Sequence, residues 1–521
     1  MDSQIQAKVN EWLAFDKNPA TRAEIESLRD AGNTEELKRR LIESNSVQLA
    51  SQGLCAYVLQ NVPNATERGV VVGHDHRYNS EKWAQLTAAA FVSKGFKVYL
   101  YKGIVHTPLV PYTVSKLNAA AGVMITASHN PKDDNGYKVY WENAVQIISP
   151  HDAANVDNLV IDRTEEMTVA YLGYIASLSR TRLASAGKQM LQSSQVYQYL
   201  HAWSFSGIID RANKVFDFKP LEHVKEQQDP NPDFPLLLSL ILKKRCIGLG
   251  NQDCERIWFV KKPDGTWFVF SGDQLGSCLR VDIEGYKASG RPIEKLAMVA
   301  STVSSKLIGA MAAKEGFKFV ESLTGFKYIG NAARALEAEG YNVLFGYEEA
   351  IGFMLGEEVR DKDGVSATSG KLATDYLEEI YAQYGYFRPT SNSYFICSQS
   401  EIVDQIFARL RSYNDPASLS KDKMSQYPKS IGGLTVMDIR DLTTGHGFDS
   451  RGHMITFKAK GDGVAIVLTV RTSGTEPKIK YYLEGSGSTR EQVTKALARV
   501  VDELRDEWMQ AKLHNLGIPG A

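Results

Sequence analysis

The sequence predicts an α/β protein that uses one strand–helix plan more than once and ends in an α+β domain. Three observations predict this. Between residues 70 and 126, short apolar runs alternate with helical patterns, and the same plan returns between residues 296 and 345. From residue 454 onward the pattern changes to two apolar strands around Gly461-Asp462-Gly463, followed later by one amphipathic helix. Strands alternating with helices require a parallel sheet with right-handed crossovers, whereas a tight turn between neighbouring strands makes an antiparallel pair. A chain of 521 residues also exceeds what one hydrophobic core serves, so several domains are expected.

Residues 1–44 read as a helical lead-in. Asn45 or Ser46 then caps a helix whose Val47, Ala50, Leu54 and Val58 share a face. Val70-Val71-Val72 is a short buried strand, and Ser80 is placed to cap a helix with Trp83, Leu86 and Ala90 inward, ending at Gly95. Lys97–Tyr101 is the next strand, a helix covers Pro111–Ala121, and Gly122–Thr126 is a third strand. Arg245–Leu249 is an apolar strand that runs into a polar loop. In the second copy of the plan, Leu296–Ala300, Phe317–Val320 and Asn342–Phe345 are strands, with helices at Ser304–Glu315 and Asn331–Glu339 between them. Near the C-terminus, Met454–Lys460 and Val464–Val470 form a hairpin. Ser488 and Glu491 have capping-box spacing ahead of a helix with Val493, Leu497, Val500 and Leu504 on its inner face. The expected domains are α/β over 1–180, a shortened α/β unit over 181–285, α/β over 286–390 and α+β over 391–521.

Charge and composition narrow the function classes. Lys plus Arg number 60 and Asp plus Glu 61, so no global basic field favours nucleic acid. The first residues lack the basic start and apolar run of a secretory signal, and the longest apolar stretch, Leu236–Leu242, is interrupted by Ser239 and too short to span a bilayer. Five scattered cysteines (Cys55, Cys246, Cys254, Cys278, Cys397) show neither a disulfide framework nor a zinc pattern. A monomer in a reducing cytoplasm, acting on small molecules without nucleic acid or membrane, is the expectation.

Chemistry-bearing residues gather in four loops. Ser128, in Thr126-Ala127-Ser128-His129-Asn130-Pro131, lies beyond a buried strand, where a serine can act as nucleophile and backbone N–H groups can hold its phosphoester. His129 offers proton transfer and Lys138 a cation for phosphate. Asn251, Asp253 and Glu255, followed by Arg256, alternate oxygen donors; along an extended segment these reach one side and suit a hard cation such as Mg²⁺. Taken without context, such a charged loop is more often simply solvated. Glu348 and Glu349 pair two carboxylates at a strand end, which suits sugar hydroxyls but equally suits an acidic helix start. Arg471, Ser473, Gly474, Thr475 and Lys478 pack donors and a flexible backbone into eight residues, which is the composition of a phosphate cradle.

Together these loops resemble the α-D-phosphohexomutase superfamily, specifically its eukaryotic phosphopentomutase and phosphoglucomutase-2 branch. The strings that carry the resemblance are GVMITASHNPKDDNGYKVYWENAVQI, ASTVSSK, ESLTGFKYIGN, GYEEAIGF, DKDGVSA and RTSGTEPKIKYY. The resemblance implies repeated α/β domains around a central cleft plus the C-terminal α+β domain. It implies a mutase that moves a phosphoryl group between C1 and the terminal hydroxyl of ribose, deoxyribose or glucose phosphates. The route would be a phosphoserine at Ser128, with His129 and Lys138 in the catalytic loop, and a sugar bisphosphate as intermediate and activator. It further implies Mg²⁺ held by the Ser128 phosphate and the 251–255 loop, Lys327 at the substrate, Glu348 and Glu349 on sugar hydroxyls, and Arg471 to Lys478 on the non-reacting phosphate. The sequence departs from the family in three places. The metal loop carries Asn251 and Glu255 where the family has aspartates; the N-terminal Gly-Thr-x-Gly-Leu-Arg loop has no counterpart; and the second domain is short. A catalytically impaired phosphosugar-binding homologue and a sugar-bisphosphate synthase are the alternatives these features leave.

Overall fold

The computed structural model describes residues 19–31, 46–128, 134–148, 151, 164–183, 195–199, 211, 214–215, 222–223, 247–252, 255–261, 267–280, 283–364, 366, 374–389, 393–413, 426–443, 452–473 and 477–518. The chain divides into two compact units: Met1–Thr302 with Gly316–Leu372, and Val303–Glu315 with Ala373–Ala521.

The first unit contains two sheets. In one, β1 (Val70–His74) is flanked in parallel by β2 (Val98–Leu100) and β3 (Ala121–Ile125), and β4 (Tyr137–Trp141) returns antiparallel to β3. The order is therefore β2-β1-β3-β4. Every residue of β1 and β3 is buried, as expected of strands covered on both faces. Helix Ser80–Val92 covers one face, but a third of a turn away from the expected phase: Ala84, Thr87, Ala88 and Phe91 are buried, while Trp83, Leu86 and Ala90 are only half-buried. Its start is corrected too. Asn79, in the left-handed region, is the cap position, and Ser80 is the first helical residue, its hydroxyl turned to Asp75. On helix Ser46–Asn61, Leu54 and Val58 face the core as expected, but Ser51 and Cys55 take the place of Ala50, which is exposed.

The second sheet begins with β5 (Gln195–Tyr199), β6 (Glu222–His223), β7 (Ile247–Gln252), β8 (Glu255–Lys261) and β9 (Trp267–Val269). It continues with β10 (Leu296–Ser301), β11 (Lys318–Ser322), β12 (Asn342–Glu348) and β13 (Gly352–Leu355). Its order is β11-β10-β12-β13-β8-β7-β5-β6, with β9 on β8. The half β11-β10-β12-β13 repeats the first sheet strand for strand, including the antiparallel return. One pair, Gly352 with Glu255, joins that half to the hairpin β7–β8.

The second unit is an antiparallel sheet of β14 (Tyr386–Pro389), β15 (Ser393–Ile396), β16 (Ser430–Ile431), β17 (Leu434–Asp441), β18 (Met454–Gly461), β19 (Val464–Thr472) and β20 (Lys478–Gly487). Asp462 and Gly463 turn β18 into β19 with φ of 50° and 74°, the backbone a two-residue hairpin needs. Helix Arg490–Glu503 packs Val493, Leu497 and Val500 on the core, and Leu504 beyond it is buried as expected. Its cap is Thr489 rather than Ser488, with the Gln492 N–H donating to the Thr489 hydroxyl at 3.4 Å. Among the described residues no helix is long and apolar enough to cross a membrane.

Candidate active site

Ser128 sits three residues past the end of β3, in the position where open parallel sheets gather ligand groups. Its φ is 57°, in the left-handed region that a residue with a Cβ occupies only when its surroundings enforce it. The enforcing contacts are visible. The Ser128 N–H donates to the Thr126 hydroxyl at 3.0 Å, and the Ser128 carbonyl accepts from Arg77 Nη2 at 2.8 Å. Arg77 Nη1 donates to the Asp134 carbonyl at 3.0 Å. The Thr126 N–H donates to the Gly136 carbonyl at 2.9 Å, and a Cβ at Gly136 would lie 2.4 Å from the Thr126 oxygen, so only glycine lets the two ends of the loop approach.

Arg77 is itself held from the far side. Its Nε lies 3.1 Å from Asp75 Oδ2, and both side chains are fully buried. Asp75 Oδ1 accepts from the Arg77 N–H at 2.9 Å and from the Ser80 hydroxyl at 2.6 Å. Burial pushes the Asp75 carboxyl up, and Ser80 and the Arg77 charge pull it back down. A cavity of about 610 Å³ opens beside this pair, lined by His74 to Asn79, Glu81, Lys82, Gln85 and Ile104. Lys138 lies half-buried on β4 opposite Met124, one strand from the serine loop. His129 lies outside the described residues.

The equivalent turn of the second half, between β12 and β13, carries the paired glutamates. Glu348 ends β12, nearly buried, and is engaged on both oxygens: Lys362 Nζ lies 2.6 Å from Oε1, and the Gly325 N–H donates to Oε2 at 3.1 Å. Gly325 also precedes the helix Phe326–Ala338, so its N–H is one of those a helix start leaves without an internal partner. Glu349 accepts from the Ser301 hydroxyl at 3.1 Å. Burial, with Glu348 and Asp273 nearby, raises its pKa to about 7. Gly272 packs so closely that an added Cβ would lie 2.0 Å from the Glu349 carbonyl oxygen. Lys327, half-buried in the first turn of the helix, places Nζ 5.1 Å from the centre of the Tyr328 ring.

Of the metal loop only the backbone of Asn251, Glu255 and Arg256 is described, and Asp253 lies outside the described residues. That backbone is a hairpin end, with Asn251 paired to Arg256 and Gln252 to Glu255, so the two ends of the run expected from sequence to be straight and extended lie antiparallel. Through the Gly352–Glu255 pair, this hairpin end borders the strand that leaves the glutamate turn.

In the second unit, Arg471 lies near the end of β19. Its Nη2 donates to the Tyr482 hydroxyl at 2.7 Å, its Nη1 to the Thr472 carbonyl at 3.1 Å, and its Nε is buried with no partner among the described residues. The Ser473 N–H donates to the Lys478 carbonyl at 2.9 Å, closing the loop that contains Gly474 and Thr475, which lie outside the described residues. Lys478 Nζ stands 4.2 Å from the Tyr394 ring centre.

Sequence reasoning did not select Asp75, Arg77 or Lys362. Lys362 stood inside the charged string DKDGVSA, which was the available signal. Asp75 and Arg77 carry none beyond their place after a strand, because Arg77 contacts carbonyls 51 and 57 residues away and Asp75 acts by holding Arg77.

Comparison with known proteins agrees with this architecture. Family models match as "Phosphoglucomutase/phosphomannomutase, alpha/beta/alpha domain I" over residues 27–165, domain III over 271–373 and the C-terminal domain over 454–505. The chain is 36% identical to a phosphopentomutase of Mus musculus over 613 aligned positions, covering 99% of this chain and 96% of the relative. It is 34% identical to a probable phosphoribomutase of Schizosaccharomyces pombe, covering all of both. A glucose 1,6-bisphosphate synthase of Homo sapiens is 34% identical, with 99% and 96% covered. The 613 positions exceed the 521 residues of the chain, so the alignment contains segments that the mouse relative has and this chain lacks. In fold, the chain is similar to a phosphoglucomutase/phosphomannomutase family protein from Burkholderia thailandensis, with a TM-score of 0.59 at 13% identity over 92% of this chain and 94% of that one. The repeated α/β halves, the loops they carry and these full-length likenesses agree: the chain belongs to the phosphoglucomutase/phosphomannomutase family, within the phosphopentomutase branch of the α-D-phosphohexomutase superfamily.

Proposed function

We propose that this mutase transfers the phosphoryl group of a phosphoserine at Ser128 to one hydroxyl of a sugar monophosphate and takes the other phosphoryl group back, with pentose phosphates as the first substrates to test. The single observation that carries the reading is the loop that holds Ser128 in the left-handed region through bonds to both of its ends. In the first transfer the P–O bond to Ser128 breaks as a P–O bond to the sugar oxygen forms, the sugar hydroxyl gives up its proton and the Ser128 oxygen leaves to become a hydroxyl; in the return transfer the other sugar P–O bond breaks as the P–O bond to Ser128 forms again and the serine hydroxyl gives up its proton. The bisphosphate formed then turns over, and the reverse transfer restores the phosphoserine. His129 is the candidate proton acceptor, and Lys138 the candidate cation beside the phosphate. Glu349, with a pKa near neutrality, can both donate to and accept from a sugar hydroxyl. Glu348 is held by Lys362, so a hydroxyl that binds Glu348 shares it with a cation already in place. Arg471, with Ser473, Gly474, Thr475 and Lys478, is assigned to the non-reacting phosphate on the strength of its charge and its planar donors. Pentose preference is supported by the names of the phosphopentomutase and phosphoribomutase relatives.

Asn251, Asp253 and Glu255 are all oxygen donors, two of them carboxylates, and Asn251 and Glu255 lie on a hairpin end bordering the glutamate turn; that donor set fits a hard cation. These residues, with the Ser128 phosphate, would hold Mg²⁺, which supplies charge stabilisation for phosphoryl transfer.

Incubation with a sugar bisphosphate, followed by intact-mass measurement and peptide mapping, tests the reading. One phosphoryl group on Ser128 is expected, with none in Ser128→Ala. Label on another residue with none on Ser128 overturns it. A second reading, synthesis of a sugar bisphosphate, is favoured by the 34% identical synthase relatives. Turnover of a monophosphate with and without added bisphosphate separates the two.

A further inference from the structure

We propose that Arg77 is the positioning residue of the nucleophile: a buried guanidinium that holds both ends of the serine loop by their carbonyls and so sets where the Ser128 oxygen stands. The inference rests on Ser128 being the phosphoryl carrier. Four observations support it. First, the two outer nitrogens are divided between the two ends of one segment, Nη2 on the Ser128 carbonyl at 2.8 Å and Nη1 on the Asp134 carbonyl at 3.0 Å. Residues 129–133 lie between those ends. Second, the planar fork is fixed behind by Asp75, whose own N–H donates to the Ile125 carbonyl at 3.0 Å. The clamp is thereby tied to the end of β3, the strand that delivers Ser128. Third, Asn135 ties the far end of the loop to the same loop after β1, donating to the Tyr78 carbonyl at 3.0 Å and lying 3.3 Å from the Ser80 hydroxyl. Fourth, Ser128 holds a backbone conformation that costs free energy unless its surroundings impose it, and the Ser128 carbonyl that Arg77 binds is part of that backbone.

A guanidinium suits this task because its donors are fixed in one plane and it stays charged when buried. A lysine ammonium could remain paired with Asp75 but has no fork with which to span two carbonyls. In-line phosphoryl transfer depends on the placement of the attacking or leaving oxygen, and an error of about 1 Å costs on the order of a hundredfold in rate. Arg77 touches neither the phosphoryl group nor the sugar in this assignment. Its effect should therefore appear in the transfer step and leave phosphosugar binding unchanged.

The test is Arg77→Lys in the full chain, with single-turnover phosphorylation of Ser128 by a sugar bisphosphate read by intact mass. Phosphosugar affinity is measured in parallel by calorimetry, and folding by thermal unfolding. The expected result is transfer slowed by about a hundredfold, with affinity within about twofold and a cooperative unfolding transition retained. If Arg77→Lys does not fold, the paired change Asp75→Asn with Arg77→Gln takes its place, since it removes both buried charges together; loss of the transfer rate at unchanged affinity is then expected. Transfer at the parent rate in a folded variant overturns the proposal. A parallel loss of affinity and rate also overturns it, because that would mark general loosening of the fold rather than placement of one oxygen. If the parent protein takes no phosphoryl group on Ser128, the nucleophile assignment fails first, and the two failures are told apart in the same experiment.

Discussion

The first unit uses one topology twice and gives each copy a different task. In both copies a central strand has a parallel neighbour on each side, and the last strand returns antiparallel: β2-β1-β3-β4 and β11-β10-β12-β13. The turn to which we assign function is the same one in both, between the third strand and its antiparallel return. In the first copy that turn spans residues 126–136 and carries Ser128; in the second it spans 349–351 and follows Glu348. Among the described residues each has one non-glycine residue in the left-handed region, Ser128 at 57° and Ile351 at 52°. Each also has an ion pair, and there the copies differ. Asp75 and Arg77 have fully buried side chains, and Arg77 directs its outer donors to backbone carbonyls. Lys362 and Glu348 keep 15% and 10% side-chain exposure, so that pair is left open enough for the proposed exchange of partners with a sugar. A buried pair that binds backbone builds a loop, whereas a pair left partly open can take part in recognition.

The largest expected effect tests that distinction. Asp75→Asn leaves a buried guanidinium without its counter-charge and should cost about 3–5 kcal/mol of stability. Glu348→Gln should cost clearly less, because Lys362 reaches solvent, but should weaken phosphosugar binding. Denaturant unfolding and calorimetric titration of both variants check this, and equal stability losses would erase the difference between the pairs.

Next come the glycines that close the two turns. Gly136→Ala puts a Cβ against the Thr126 oxygen, and Gly272→Ala puts one against the Glu349 oxygen. Each should cost about 1–3 kcal/mol by overpacking, with opposite functional results. Gly136→Ala should slow phosphorylation of Ser128 at unchanged phosphosugar affinity, and Gly272→Ala should do the reverse. If both variants changed rate and affinity alike, the two turns would not be separate working parts.

The smallest effect concerns pH, because Glu349 keeps partial exposure and solvent screens much of its shift. Burial beside Glu348 and Asp273 raises the Glu349 pKa from 4.5 to about 7. The folded state then holds a proton that the unfolded state has released, so this residue's contribution to stability falls as pH rises from about 4.5 through about 7. Below the lower value the contribution is flat, and above the higher one the loss is complete. Glu349→Gln removes the titration, so its stability relative to the parent should be greater at pH 8 than at pH 5, about 3 units apart on the scale where linkage acts. Denaturation midpoints at the two pH values check the sign.

Local pattern alone located much of the fold. The apolar runs at Val70, Gly122, Leu296 and Asn342 marked strands because a strand buried on both faces must be apolar along its length. Asp462-Gly463 marked a hairpin because both residues tolerate positive φ. The inner face of helix Arg490–Glu503 followed from spacing that matches the helical period. The phase of helix Ser80–Val92 did not, since its small residues, Ala84, Thr87 and Ala88, pack closest to the sheet and the larger Trp83 and Leu86 lie at the margin. The loop strings around Ser128, Glu348 and Arg471 were likewise legible, because their chemistry is concentrated within a few consecutive residues.

What only the tertiary structure decided is which of those groups are held, and by what. That Arg77 belongs to Ser128, that Lys362 belongs to Glu348 and that Glu349 titrates near neutrality depend on approach between segments far apart in the chain and on removal of water from around them. Hydrogen bonding and burial act through space, and the sequence records only positions along the chain. The sequence therefore determined the repeated α/β plan and the residue types available for chemistry. The folded chain determined which charges are fixed on backbone and which remain open to a sugar, because only folding sets the distance between partners and the solvent left between them.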